Sequence, residues 1–124
     1  MKVYLAAPWK HRFVAELVAK QLRNAGNVVV SRWHDEWAHR DDSTVSDDQF
    51  RQEALYDYND VLRSEIVMVL NIEKSEGKAV EQGIALAEGI PVLVVGDKTN
   101  VFHYLETFTF VKTVNEAVKY LGER

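Results

Sequence analysis

Two carboxylates and a phenol in this 124-residue chain have the chemistry of a reaction centre: Glu81, Asp57 and Tyr4. Glu81 lies in Ser75-Glu76-Gly77-Lys78-Ala79-Val80-Glu81-Gln82-Gly83. The apolar run Ile66 to Leu70 leads into that segment, and Ile84 to Ala87 leads out. The order reads as strand, polar Gly-containing loop, helix N-terminus. In an open α/β sheet this is where ligands sit. Glu81 is therefore either a first-turn residue that favours the helix dipole, by roughly 0.3–1 kcal/mol, or a catalytic carboxylate presented to a ligand. Asp57 is either its partner or one more exposed helix carboxylate, with Asp60 equally placed. Breaking a glycosidic bond needs such a pair: one carboxylate meets the oxocarbenium-like carbon and one acid assists the leaving group. Tyr4 stands either at the carboxyl side of the sheet or in its core, where a strand Tyr has its hydroxyl satisfied at the edge.

Other chemistry is thinly represented. The chain has no cysteine, which excludes disulfides, thiolate catalysis and Cys-ligated metal. His34 and His39 flank Asp35 and Glu36, but a spacing of five does not put two ligands on one helix face, so no metal is expected. No GxGxxG follows the first strand and no GxxxxGK[ST] occurs, so the phosphate-cradling glycines of dinucleotide and P-loop proteins are missing. Trp33 and Trp37 either stack on a nucleobase or pin their loop to the body. Arg32 either contacts a phosphate or base edge or makes a surface ion pair. The net charge is −4, with acidic pairs at Asp35-Glu36, Asp41-Asp42 and Asp47-Asp48, which argues against a nucleic-acid surface. Hydrophobic and charged fractions of 47% and 27% are those of a soluble globular protein. Without a signal-like start or an apolar run of spanning length, a cytoplasmic protein of one domain is expected, with no membrane partner.

The elements that must position these residues alternate. Val3 to Ala7 reads as a buried strand ending at Pro8. Lys10 to Ala25 is a helix by the spacing of Phe13, Val14, Leu17, Val18 and Leu22, closed by Gly26. Val28 to Val30 is a second strand, and the runs of apolar residues suggest strands covered on both faces. Ser31 to Ser46 is a long polar loop with room for a helical turn, and a loop of this length is more often functional than filler. Asp47 to Arg63 is a helix capped by Ser46 or Asp47, with Phe50, Ala54, Leu55, Val61 and Leu62 expected on its buried side. Glu65 to Asn71 is strand three, Val80 to Glu88 a helix closed by Gly89, and Pro91 to Val95 strand four. Val101 to Leu105 is a short helix, Phe108 to Val111 a fifth strand and Thr113 to Leu121 a final helix. This alternation predicts a flavodoxin-like three-layer α/β sandwich with a five-stranded parallel sheet ordered 2-1-3-4-5. Its cleft falls between strands one and three, lined by Ala6-Ala7-Pro8-Trp9, by Asn71 to Glu81 and by the loop after strand two. A rise of ~1.5 Å per helical residue against ~3.3 Å per strand residue leaves Asp57 short of the strand tips unless the strand is short or the helix breaks early.

The order of several short segments carries a resemblance. Met1-Lys2-Val3-Tyr4-Leu5-Ala6-Ala7-Pro8, Val30-Ser31-Arg32-Trp33, Asp57, Gly77 through Glu81, Gly83-Ile84-Ala85-Leu86-Ala87, Pro91-Val92-Leu93-Val94-Val95-Gly96 and Asn100-Val101-Phe102-His103-Tyr104-Leu105 follow one another over nearly the whole chain. In this order they resemble the nucleoside 2-deoxyribosyltransferases and the related 2′-deoxynucleoside 5′-monophosphate N-hydrolases. The resemblance implies cleavage of a base–deoxyribose bond without metal or cofactor. It implies Glu81 as the nucleophile that forms a covalent deoxyribosyl-enzyme, Tyr4 as the residue orienting it, and Asp57 as an acid or ligand near the leaving base or sugar. Ala6, Pro8, Trp33, Ser75, Gly77 and Lys78 are then the substrate-binding positions, with Trp33 near the base and Ser75 and Lys78 near the 5′ end. Transferases acting on free nucleosides have Asp where this chain has Ser75, and the monophosphate hydrolases have Ser there. The loop Trp9-Lys10-His11-Arg12 departs from the Arg-containing phosphate segment of the hydrolases. The implied partners are a deoxynucleoside or deoxynucleotide, a free nucleobase and further copies of the chain, since the family's sites are often closed by a neighbouring subunit, here with Asp97 to Leu105 as contributor. A non-catalytic nucleotide-binding or sensor protein on the same fold is the alternative.

Overall fold

The computed structural model describes residues 1–38 and 40–124, so His39 lies outside the described residues. Five parallel strands, β1 (Lys2–Ala6), β2 (Val28–Val29), β3 (Ile66–Leu70), β4 (Val92–Val95) and β5 (Phe108–Val111), form one sheet in the order β2-β1-β3-β4-β5. The helices are α1 (Arg12–Asn24), α2 (Trp33–Glu36), α3 (Asp47–Arg63), α4 (Glu76–Ala87) and α5 (Val114–Gly122). Short 3-10 turns run over Trp9–His11, Asp42–Thr44 and Val101–Tyr104. Right-handed crossovers put α1 on one face and α3 and α4 on the other, and α5, which follows the last strand, packs on the α1 face. Gln21 of α1 accordingly donates to Asn115 of α5 at 2.8 Å, and α3 packs on α4. The flavodoxin-like sandwich expected from the alternating pattern is what the chain forms.

The core explains why the strands read as unbroken apolar runs. Every residue of β3 is buried, and Tyr4, Leu5, Met68, Val69, Leu93 and Val94 are fully enclosed between the helical layers. Register pairs Tyr4 with Val67 and Met68 with Leu93, which sets the carboxyl ends of β1, β3 and β4 side by side. Gly96, just past β4, has φ +135, and a Cβ there would come within 3.1 Å of the Asn71 side chain. Glycine thus allows the β4 end to close on the β3 end. Among the described residues, no helix is long and apolar enough to cross a membrane.

Three expectations meet the structure, two of them with a correction. First, α4 begins at Glu76, four residues before the expected Val80, because Ser75 caps it by accepting from the Lys78 N–H at 3.3 Å. Glu81 is thereby in the second turn, so it is not the first-turn residue of the helix-dipole reading. Second, the long loop after β2 holds the helical turn it had room for, the one-turn α2, and a 3-10 turn besides. Third, α3 does run over Asp47–Arg63 with Ser46 as its cap, but Phe50, Leu55 and Leu62 point outward, at 42%, 57% and 38% exposure, and Ala54 is exposed too. Of the five expected residues only Val61 is buried; the other buried α3 residues are Glu53 and Asp60.

Asp60 is fully buried and is held by guanidinium groups on two sides. Arg32 donates to it through Nε at 3.0 Å and Nη2 at 2.9 Å, and Arg63 through Nη2 at 2.6 Å. Arg32 also lies over the Tyr56 ring at 4.6 Å. This is the ion-pair reading of Arg32, and it ties the segment after β2 to α3. Arg63 still pairs with Asp60 when Arg32 is removed, and the Arg32 side chain is partly exposed, so Arg32→Ala is expected to lower unfolding free energy by roughly 1–2 kcal/mol through the lost charged hydrogen bonds. Urea denaturation checks this; a loss below roughly 0.5 kcal/mol refutes it.

Candidate active site

One cavity of about 210 Å³ opens at the carboxyl end of the sheet, between the β1 end, the segment after β2, α3 and the start of α4. Glu81, Asp57, Trp33, Ser75, Gly77 and Lys78 line it. Tyr4 lies beneath it, wholly buried in β1, with its hydroxyl donating to Glu81 Oε2. Three residues far apart in sequence are thus gathered by three elements: β1 supplies the phenol, α4 the first carboxylate and α3 the second. Ala6 and Pro8 do not line the cavity, contrary to expectation. Ala6 is fully enclosed in the core and Pro8 is buried as well, and their neighbours Ala7 and Trp9 face the space instead. The alternation of side chains at the end of an extended segment accounts for the one-residue offset.

Asp57 reaches the cavity without any break in α3. The strands are short, five residues each in β1 and β3. From Arg63 back to Asp57 the helix climbs ~9 Å, close to the ~7 Å that β1 climbs from Lys2 to Tyr4. The two side chains are therefore level. Asp57 Oδ1 is buried and has no hydrogen-bond partner among the described residues. A buried acceptor left unsatisfied is costly in a folded protein and marks a place where a ligand or proton belongs. Asp60, one turn on, is out of the cavity and committed to its arginines.

Burial governs the protonation of both carboxyls. It raises Asp57 from 3.8 to about 7, helped by the negative charge of Asp60 and opposed by the Tyr4 hydroxyl and by Arg32 and Arg40. It raises Glu81 from 4.5 to about 8, opposed by the hydrogen bond from Tyr4 and reinforced by Asp57. Burial and the two carboxylates likewise hold the Tyr4 hydroxyl well above its ordinary range, so it remains a donor. At neutral pH the pair Glu81–Asp57 carries at least one proton, and its two ionisations belong to the pair.

At the other end of the cavity α4 presents its first turn. The amides of Glu76 and Gly77 precede the first intrahelical bond, and the dipole favours an anion in front of them. A Cβ on Gly77 would meet nothing within 4 Å, and Gly77 lines the cavity. Lys78 is 4% exposed, and its ammonium is drawn into the β3–α4 loop, donating to Asn71 Oδ1 at 2.6 Å and to the Glu73 carbonyl at 2.5 Å. Ser75 and Lys78 also form part of the wall of a second cavity of about 730 Å³ behind α4. The larger space does not reach Glu81 or Asp57; the smaller one holds both carboxylates.

The tryptophans wall the far side. Trp33 is buried and donates from Nε1 to the Leu5 carbonyl at 2.9 Å, which pins α2 to β1 while one edge still lines the cavity. Trp9 lies 6.3 Å from it, and Trp37 stacks on Tyr56 at 6.2 Å. His34 belongs to the scaffold: the Leu5 N–H donates to Ser31 Oγ, the Ser31 hydroxyl to His34 Nε2, and His34 Nδ1 to Glu16 at 2.8 Å. Two lining residues had not been singled out, Arg40 and Glu53. Arg40 donates to Glu53 and lies over the Trp9 ring at 4.7 Å. The helical spacing of Glu53, Asp57 and Asp60 would have located Glu53; no sequence signal locates Arg40.

No protein-family model matches the chain, and no curated protein matches it. Among solved structures, the CMP N-glycosidase BcmB from Clostridium botulinum is 16% identical with a TM-score of 0.63 over the whole of both chains. A conserved protein from Enterococcus faecalis V583 is 19% identical with a TM-score of 0.71, over all of this chain and 98% of its own. At such identities the likeness is one of fold, which this chain shares with both.

Proposed function

We propose that this protein cleaves the N-glycosidic bond of 2′-deoxynucleosides or their 5′-monophosphates, through a covalent deoxyribosyl ester on Glu81. The observation that carries the reading is the trio itself: Glu81 hydrogen-bonded by Tyr4, with Asp57 in the same cavity. The shared fold with a CMP N-glycosidase supports cleavage of a nucleotide's glycosidic bond.

In the first step the singly protonated pair reacts in the form that has its proton on Asp57, the less populated of its two arrangements, and ionised Glu81 attacks C1′ as the C1′–N bond breaks. Its electrons pass to the base nitrogen, which takes a proton from Asp57. Tyr4 bonds Oε2, which leaves Oε1 as the attacking oxygen and stabilises the ionised form. In the second step water or an acceptor base attacks C1′, expels Glu81 and gives net retention. Asp57, now ionised, takes the proton from that nucleophile. The Trp wall suits the face of a base. The first turn of α4, with Ser75 in place of an acid, suits a 5′-phosphate over a bare hydroxyl. The reading also has the protein act as a homo-oligomer closed at Asp97 to Leu105, supported by the exposure of Val101 and Tyr104 at 77% and 74%.

A product assay on deoxynucleosides and their monophosphates, with and without a free acceptor base, tests this, alongside sedimentation velocity for the oligomer. Base release or exchange is expected, fastest for a deoxynucleoside 5′-monophosphate and slower for ribose forms. Tight binding without turnover would move the protein to the non-catalytic alternative, and a purely monomeric species would remove the oligomer.

A further inference from the structure

A closed ring of hydrogen bonds joins the cavity wall to the crossover before β5. Lys78 Nζ donates to Asn71 Oδ1 at 2.6 Å. Asn71 Nδ2 donates to Thr99 Oγ1 at 3.2 Å and to the Asp97 carbonyl at 2.8 Å. The Thr99 N–H donates to His103 Nδ1 at 3.0 Å. Because Nδ1 accepts, the ring proton is on Nε2, which donates to Gln82 Oε1 at 2.8 Å. Gln82 Nε2 donates to the Lys78 carbonyl at 3.1 Å, and the circuit is complete. Its inner members are deeply placed, His103 at 1% exposure, Lys78 at 4% and Gln82 at 7%, while Asn71 is half-buried and Thr99 lies at the surface. The buried links, each with donor and acceptor satisfied, hold one geometry. Two of the residues, His103 and Gln82, do not line the cavity of Glu81 and line the larger one behind α4 instead.

We propose that His103 and Gln82 are positioning residues for ligand binding: they hold Lys78 from both ends, and with it the Ser75–Gly77 turn that faces the ligand's 5′ side. This rests on the reading of the cavity given above. The ring requires neutral His103, because a proton on Nδ1 would face the Thr99 N–H with a second donor. The surroundings keep it neutral. The charged group that acts on it is a cation, Lys78 from α4, and a second cation, Lys98, sits over the Phe110 ring at 5.0 Å. From β5 come only the rings of Phe108 and Phe110, at 5.5 and 5.3 Å, and Gln82, Thr99 and Asn100 are uncharged. Burial first and Lys78 second lower the His103 pKa from its ordinary 6.5. Acid of sufficient strength therefore opens the ring at Thr99.

The test uses His103→Gln and the near-isosteric Gln82→Met in the full chain, each checked for an unchanged fold by circular dichroism. Measured are kcat and KM for a 2′-deoxynucleoside 5′-monophosphate across pH, the Kd of inorganic phosphate, and amide hydrogen exchange over residues 75–79 and 99–103. Both variants are expected to raise KM or Kd about tenfold with kcat within about threefold. Exchange should quicken in both segments whichever residue is changed. The extra rise of wild-type KM at low pH should be missing from His103→Gln. Faster exchange confined to the substituted residue's own segment overturns the proposal, as does an unaltered KM or an acid dependence of KM in His103→Gln equal to that of wild type. If wild type releases no base from any substrate, the functional reading fails; the exchange data and phosphate Kd then decide the ring by themselves.

Discussion

Glu81→Gln is expected to abolish base release, by roughly 10⁴-fold or more, while making the protein more stable in alkaline solution. The amide keeps the shape and an oxygen for the Tyr4 hydroxyl, but it cannot form the ester, and removing a nucleophile outright costs on this scale. The stability gain follows from linkage. The carboxyl ionises at 4.5 when free and at about 8 in the fold. Between those values the folded protein holds a proton that the unfolded chain has released, so wild-type stability falls as pH rises through the window. Below pH 4.5 both states are protonated and the term vanishes. Glutamine carries no such term. With a discount for the partial exposure of Glu81, the gain at pH 8.5 is roughly 1–2 kcal/mol, or about 4–8 °C in Tm, falling towards zero near pH 4. Differential scanning calorimetry at the two pH values and a single-turnover assay check both halves. Activity within tenfold of wild type would remove Glu81 as the nucleophile. A Tm difference independent of pH would mean that burial does not govern its proton.

Asp57→Asn is the second large effect, with an expected loss of about 10²–10³-fold in kcat/KM on ordinary bases. The wild-type pH profile should be a bell: the acid limb reports ionisation of one carboxyl of the pair and the alkaline limb loss of the last proton. The variant should lose the alkaline limb and keep the acid one. Asp60→Asn gives a finer check. The charge of Asp60 helps hold Asp57 protonated, so removing it should move the alkaline limb to lower pH while leaving the limb present. Substrates whose base leaves without being protonated, such as a 7-methylated purine deoxynucleoside, should be much less affected by Asp57→Asn than ordinary ones. An equal loss on both would show that Asp57 binds the substrate and does not act as its acid.

How far the sequence could be read depended on whether hydrophobicity and burial coincided. They coincide in the strands: Ile66-Val67-Met68-Val69-Leu70 is apolar because both its faces are covered, and the sheet order follows from such runs. They part in α3. Its outer side carries Phe50, Leu55 and Leu62, and its inner side carries Glu53, Asp57 and Asp60, because that side faces a polar cavity and two arginines. A pattern rule that puts apolar residues inside must turn this helix the wrong way. The start of α4 was obscured by Gly77, which reads as a loop residue, although Ser75 three positions before Lys78 is an ordinary cap. Tyr4 and Glu81 are 77 residues apart, and only the fold brings phenol and carboxylate together.

The correct placement of Glu81 makes α4 a ruler. Gly77 and Glu81 are four residues apart in an unbroken helix, so they lie on one side of it with a separation of roughly 6 Å. In the function proposed above, one end of that interval faces the ligand's 5′ side and the other its anomeric carbon, so the helix would measure the sugar between these two points, with its backbone bonds keeping the measure rigid. Inserting a single residue between Gly77 and Glu81 would swing the carboxylate by about 100° away from the sugar while leaving the anion-facing turn intact. A substrate lengthened by one bond between the 5′ group and the anomeric carbon would be gripped correctly at one end and presented wrongly at the other.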